Sequence, residues 1–269
     1  RRERGGGADR RRPCRAGRHP PRVVWPGQNR AGLSLRSWLE IRLLPPMVVA
    51  AVFICVPWFF PSAYYYRIGA LVFIFALAVA GLNLLMGFAG QVSLGHAGFL
   101  GIGAYSVAIG PAHFGLPSWL CLFAGAALSA AVAFVVGRPI LRLKGHYLAV
   151  ATLGFGLLVA IVLTNEAGLT GGPDGMTVPR LTLLGWSVRG SDVWYWIAGT
   201  TFLGGFLVAL NLMESPTGRA LQAIHDSEVA ALTLGVDVAR KKLTIFIISA
   251  VYASVAGSYL ALFNGHITP

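Results

Sequence analysis

Residues 68–105 read IGALVFIFALAVAGLNLLMGFAGQVSLGHAGFLGIGAY, and not one of them carries a formal charge. The first half is a continuous apolar run, long enough for the roughly 20 residues that a helix needs to cross about 30 Å of hydrocarbon. The second half sets Asn83, Gln91, Ser93 and His96 among recurring glycines. Polar groups at membrane depth are costly unless they face protein or water, so these four mark a pathway or a helix contact.

The rest of the chain agrees with a lipid-embedded reading. Its 269 residues are 55% hydrophobic and 12% charged, with a mean hydropathy of +0.66. Soluble domains carry about twice that charged fraction. The apolar runs are continuous rather than alternating, so a membrane barrel fits poorly. The class that fits is an all-α, polytopic membrane protein. A net charge of +12 raises the question of nucleic acid, but much of the excess lies in residues 1–42 and the remaining cations sit in short loops between apolar runs. That is the distribution of a membrane protein with its positive loops on one side, and no nucleic-acid partner is expected.

Residues 1–42 read as a basic tail, rich in Arg, Gly and Pro over 1–35 and disordered, and residues 43–269 as the membrane domain. No signal peptide is evident behind so long a basic stretch. The first methionine is Met47, so an overextended or fragmentary start is expected, and the stop at Pro269 just after a span predicts a truncated end. Candidate spans are 43–60, 68–88, 93–112, 117–137, 146–164, 193–213 and 243–263, about seven in all. Pro46 and Pro57 predict a short or kinked first span. The 93–112 segment reads as a full crossing, with its glycines and His96 leaving a broken one open. Seven crossings place the basic tail, the loop with Arg138, Arg142 and Lys144, and the loop 214–242 with Arg219, Arg240, Lys241 and Lys242 on one side. That side is predicted to be cytoplasmic, N-terminus included.

No acidic residue occurs between Glu40 and Glu166, and the later ones fall in loops or at helix ends. Proton-coupled carriers use intramembrane carboxylates, so this reading disfavours one. Enzyme signatures are missing too: there is no paired-carboxylate motif, no His-Glu-x-x-His, no Gly-x-Ser-x-Gly and no phosphate loop. The three cysteines, Cys14, Cys55 and Cys121, have no metal-ligand spacing, and the last two read as small apolar residues. No metal site is expected. His96 reads either as an interhelical hydrogen bond or as a pathway group. Gly95, Gly98 and Gly101 form a bare strip on one helix face, suited to close helix packing, with room for a substrate to approach. The turn Thr170-Gly-Gly-Pro-Asp-Gly175 is an external turn or a dock for an extracytoplasmic partner.

The loop 214–242 carries an amphipathic pattern, with Leu221, Ile224, Ala231 and Leu234 near helical spacing. Asp226-Ser227-Glu228 offers an N-cap and first-turn acids, and Gly235 a stop. The acids disfavour plain binding to anionic lipid, so the segment is expected to sit in a partner's groove.

These residues carry a resemblance. The block from Gly81 to Phe99 resembles that of bacterial branched-chain amino acid ABC transporter permeases, and Leu143–Gly156 followed by Thr170–Gly175 looks like the LivM-type subunit rather than its LivH-type counterpart. Residues Glu228–Gly235 are similar to the coupling loop of ABC importers, Glu-Ala-Ala-x-x-x-Gly. Ala230, Ala231 and Gly235 match that pattern, Val229 takes the place of its Glu, and His225 stands where Arg is common. The resemblance covers roughly residues 45–269. It implies an ABC importer permease fold without catalytic residues, in a bacterial inner membrane. The implied partners are a LivH-like second permease, two cytoplasmic ATP-binding subunits that hold the ATP and Mg, and an extracytoplasmic substrate-binding protein. This chain would itself carry no cofactor. The resemblance adds Tyr147 to the pathway candidates and makes Arg219, Asp226, Glu228, Ala230, Ala231 and Gly235 the ATPase-coupling set. The uncharged spans suit a branched-chain amino acid or another small neutral solute. A secondary transporter or channel that needs no ATPase, and a non-transporting scaffold, are the competing readings.

Overall fold

Apolar runs of helix length fold here into long helices because no water is available at membrane depth to satisfy free backbone groups. The computed structural model describes residues 35–59, 62–143, 145–183, 186–188 and 190–269. The tail through residue 34, Cys14 and Lys144 lie outside the described residues. Seven long helices appear among those described: α1 (Leu35–Phe59), α2 (Ala63–Asn83), α3 (His96–Phe114), α4 (Ser118–Ile140), α5 (His146–Asn165), α7 (Ser191–Glu214) and α10 (Val238–Asn264). Between them lie the short helices α6 (Ala167–Thr170), α8 (Pro216–Asp226) and α9 (Glu228–Thr233). The described residues also include four two-residue strands: β1 (Met176–Thr177), β2 (Thr182–Leu183), β3 (Trp186–Ser187) and β4 (His266–Ile267).

Five helices are long and apolar enough to cross a membrane by length and composition: α2 with its extension to Phe88, α4, α5, α7 and α10. The apolar part of α1 is shorter, Leu44–Phe59, and α1 runs unbroken through Pro46 and Pro57. In α3 the glycines and His96 dilute the apolar content, yet its 19 residues still rise about 28 Å at 1.5 Å each. The chain is thus a multi-pass helical membrane protein.

Residues 46–269 form one unit, and its centre is α10. Two thirds of the α10 window is buried, against about a tenth of the α5 window. Helix α10 packs on α2, α3 and α4, while α7 packs on α2. Small residues permit this: at Gly257 an added Cβ would run into the Leu100 backbone of α3, and at Gly103 into the Ser254 backbone of α10. Ser258 Oγ donates to the Gly103 carbonyl over 2.9 Å, so α3 and α10 meet backbone to backbone. Tyr195 of α7 packs its ring against Phe73 of α2 and Phe53 of α1, which also touch each other, and its hydroxyl donates to the Phe53 carbonyl at 2.8 Å. Tyr252 of α10 donates across to the Gly205 carbonyl of α7 at 2.7 Å.

The ends of the helices sort into two faces. Gly137 near the end of α4 lies against Leu243 and Phe246 near the start of α10, so the turn with Arg142 shares a face with α8 and α9. On the other face β1 pairs antiparallel with β4, Met176 opposite Ile267, and the Val178 amide donates to Gly265 at 3.0 Å. The Thr170–Gly175 turn belongs to this face. Thr170 Oγ1 donates to the Leu163 carbonyl at 2.6 Å, which closes the turn onto the end of α5.

Candidate functional site

Two groups of residues carry the sequence-derived candidates, and they adjoin on the α8–α9 face. The first is the link between α2 and α3. Helix α2 continues as a π-helical turn over Leu84–Phe88, a widened turn of a kind frequent at functional sites. Gly90 then takes φ 63°, and the chain stays non-helical until His96. The candidate span 93–112 is therefore the helix His96–Phe114, entered through a bare polar segment. The Leu94 amide donates to Thr152 Oγ1 of α5 at 3.0 Å.

His96 is fully engaged. Its Nε2 lies 3.2 Å from the Ala78 carbonyl of α2 and its Nδ1 3.4 Å from Ser249 Oγ of α10. A carbonyl only accepts, so Nε2 carries the proton and Nδ1 accepts from the serine. His96 thereby clasps α2, α3 and α10 together. Gln91 differs: it is 2% exposed, and neither Oε1 nor Nε2 has a hydrogen-bond partner among the described residues. Ser93 is buried beside it in sequence. Asn83 is exposed and lines an apolar groove with Met86, Phe88 and Phe206. Tyr147 is 77% exposed on α5. The structure thus brings Gln91, Ser93 and His96 onto one segment, with Gln91 and Ser93 buried and His96 half-buried, and leaves Asn83 and Tyr147 exposed.

The second group is the helix pair α8–α9. Ser215 caps α8, accepting from the Gly218 amide at 3.3 Å. The helix expected to start at Asp226-Ser227-Glu228 and run to Leu234 is α9, set off from α8 at Ser227, where the backbone turns extended. Ser227 caps α9 by accepting from the Ala230 amide at 3.2 Å. Gly235 takes φ 80°, a left-handed stop that suits glycine. Leu221, Ile224 and Ala231 are buried as the pattern requires, but Leu234 is 79% exposed, because α9 ends at Thr233 and Leu234 only caps it. Ala231 packs with Ile224 and Val238 in a small core of its own. Replacing Ser227 by alanine is expected to cost about 1 kcal/mol of local stability, read as faster amide exchange over residues 228–234; unchanged exchange would contradict the capping role.

The coupling candidates divide by this geometry. Glu228 pairs with Lys242 of α10 within the chain. Arg219 donates to the Glu214 carbonyl at 3.1 Å. Ala231 faces inward, and Asp226, Ala230 and Gly235 are exposed. Sequence reasoning missed the apolar surface of α9: Val229 is 73% exposed and Leu232 58%. The signal was present, since residues three apart share a helix face. Lys241 Nζ also donates to Thr217 Oγ1 at 3.0 Å. With the Lys242–Glu228 pair and the Val238 contact, this fastens both short helices to the start of the central helix. On the other flank, Gly90 of the polar link lies against the His225 ring of α8. Among the described residues no cluster of three or more His, Cys, Asp or Glu could hold a metal ion.

Residues 64–269 match the family described as branched-chain amino acid transport system / permease component. The chain belongs to that family. It is 36% identical over 247 residues to the high-affinity branched-chain amino acid transport system permease protein LivM of Salmonella typhimurium, an alignment covering 82% of this chain and 58% of the relative. The corresponding Escherichia coli LivM gives the same identity and coverage. The LivH permease protein of Salmonella typhimurium is 27% identical over 217 residues, covering 72% of this chain and 68% of the relative. This chain therefore spans 58% of the length of the LivM relatives and resembles LivM more than LivH. No solved structure matches.

Proposed function

We propose that the chain is a LivM-type membrane-spanning subunit of an ABC importer that moves branched-chain amino acids, or a related small neutral solute, into the cytoplasm. The observation that carries this reading is the exposed apolar surface of Val229, Leu232 and Leu234 on a short capped helix fastened to the central helix of the bundle. An apolar helix face needs a groove, and two cytoplasmic ATP-binding subunits would supply it, holding ATP and Mg that this chain does not bind. A rigid shift of α8–α9 then reaches α10 through Lys242, Lys241 and Val238, and reaches the link at Gly90 through His225. Because His96 joins α10 to α2 and α3, a displacement of α10 tilts α3 with it. A LivH-like permease would complete the pathway, and an extracytoplasmic binding protein would deliver cargo to the face with β1 and β4. The basic loops support placing the α8–α9 face and the N-terminus in the cytoplasm, across a bacterial inner membrane.

The reading is tested by assembling the complete transporter, binding protein included, in vesicles and measuring leucine uptake. Uptake is expected only with ATP and with both ATPase subunits present. Full-rate accumulation without them would replace this reading by an ATPase-independent transporter or channel.

A further inference from the structure

On the membrane half away from α8–α9, a groove of about 390 Å³ runs between α3, α5 and the end of α10, within the ~300–1,000 Å³ range of small-molecule sites. No Asp, Glu, Lys or Arg lines it. The glycine strip of α3 explains how it opens. Gly95 is pressed against the Thr152 backbone, and Gly98 packs against Gly156 and lines the groove with it. Gly101, one turn further, meets only the tip of Leu163, and with Ala160 of α5 it lines the groove. Tyr105 lines it as well. This side chain is 2% exposed, and its hydroxyl has no hydrogen-bond partner among the described residues. A buried hydroxyl without a partner is destabilising, and nothing in the packing requires one there. Asn264 and Thr268 bring amide and hydroxyl groups to the end of the groove, with His266 beside them.

We propose that this groove is a binding site for the cargo on its way through, a zwitterionic amino acid with an aliphatic side chain. The bare surface at Gly101 and Ala160 accepts the aliphatic part, and the Tyr105 hydroxyl, Asn264 and Thr268 hydrogen-bond the ammonium and carboxylate groups. The absence of a lining charge fits a ligand with no net charge. The inference rests on the transport reading above.

The test uses the assembled transporter with Cys14, Cys55 and Cys121 replaced by serine and Ala160→Cys introduced. A membrane-impermeant thiol reagent is expected to label this cysteine from the binding-protein side. Leucine at ten times its half-saturating concentration should slow labelling about tenfold, and glutamate should not. A cysteine that stays unlabelled means that another helix covers the groove, and labelling that leucine does not slow means that cargo bypasses it; either overturns the inference. Tyr105→Phe gives an independent reading. It removes only an unpaired hydroxyl, so yield should be unchanged, whereas the leucine kcat/KM should fall about tenfold through loss of a hydrogen bond to a charged group. Unchanged kcat/KM overturns the site. If the unmodified transporter takes up no leucine, the transport reading and the inference fall together; normal uptake with an unprotected Ala160→Cys removes the inference alone.

Discussion

Leu232→Asp is expected to abolish ATP-driven leucine uptake by the assembled transporter while leaving insertion and yield of the chain unchanged. Leu232 is 58% exposed on α9, so its side chain contributes little to the fold, and an aspartate there meets no buried surface of the same chain. In the partner's groove the same substitution places an unpaired charge where an apolar anchor belongs. Truncating such an anchor costs about 2–4 kcal/mol, or roughly 30- to 1,000-fold in affinity, and a buried unpaired charge adds to that. Co-purification of the ATPase subunits is expected to fail together with uptake. Val229→Asp should act alike, whereas exposed Arg240, which pairs at 2.9 Å with Asp237 outside α9, should tolerate alanine. Retained co-purification with Leu232→Asp would show that the motor docks elsewhere. Gly235→Trp, the change that the sequence pattern points to, is less selective. The site has open space around it, but its φ of 80° penalises any side chain by about 1 kcal/mol or more.

Gly257→Leu is expected to prevent accumulation of folded protein. A side chain at 257 would have to displace the backbone of Leu100 rather than a flexible side-chain tip, and the hydrogen bond from Ser258 to Gly103 holds that backbone in place. Overpacking of this kind costs about 3 kcal/mol or more, a large share of the roughly 5–15 kcal/mol that holds a typical fold. The damage would not stay local, because α10 is the helix on which α2, α3 and α4 pack. Fluorescence-detected size exclusion in detergent should show loss of the monodisperse peak. Gly204→Leu on α7, where an added Cβ meets nothing within 4 Å, should keep it. A monodisperse Gly257→Leu protein of unchanged melting temperature would show that the α3–α10 contact yields readily.

Much of the helix inventory was legible because it depends on local apolar content. The segments 117–137 and 146–164 correspond to Ser118–Ile140 and His146–Asn165. The cap at Ser227 and the stop at Gly235 were legible for a similar reason, since hydroxyl capping and left-handed φ are properties of a few consecutive residues. Leu234 was misread because periodicity was carried past Thr233, where α9 ends. For His96 the sequence left packing and pathway roles equally open, and its contacts with Ala78 and Ser249 could not be read from it because both partners are remote in sequence. Tyr105 drew no notice because an aromatic in an apolar helix is unremarkable until its hydroxyl proves to have no partner.

From its order of residues alone this protein was committed to a bundle of membrane helices, because burial of the peptide backbone in hydrocarbon is settled segment by segment. Which helix stands at the centre was decided only in three dimensions. Lipid tails are as apolar as leucine, so hydropathy cannot distinguish a helix that faces lipid from one that faces protein. What places α10 inside and leaves α5 largely exposed is the fit of Gly257, Ser258 and Gly103 against facing backbone, a match of shapes between segments more than 150 residues apart.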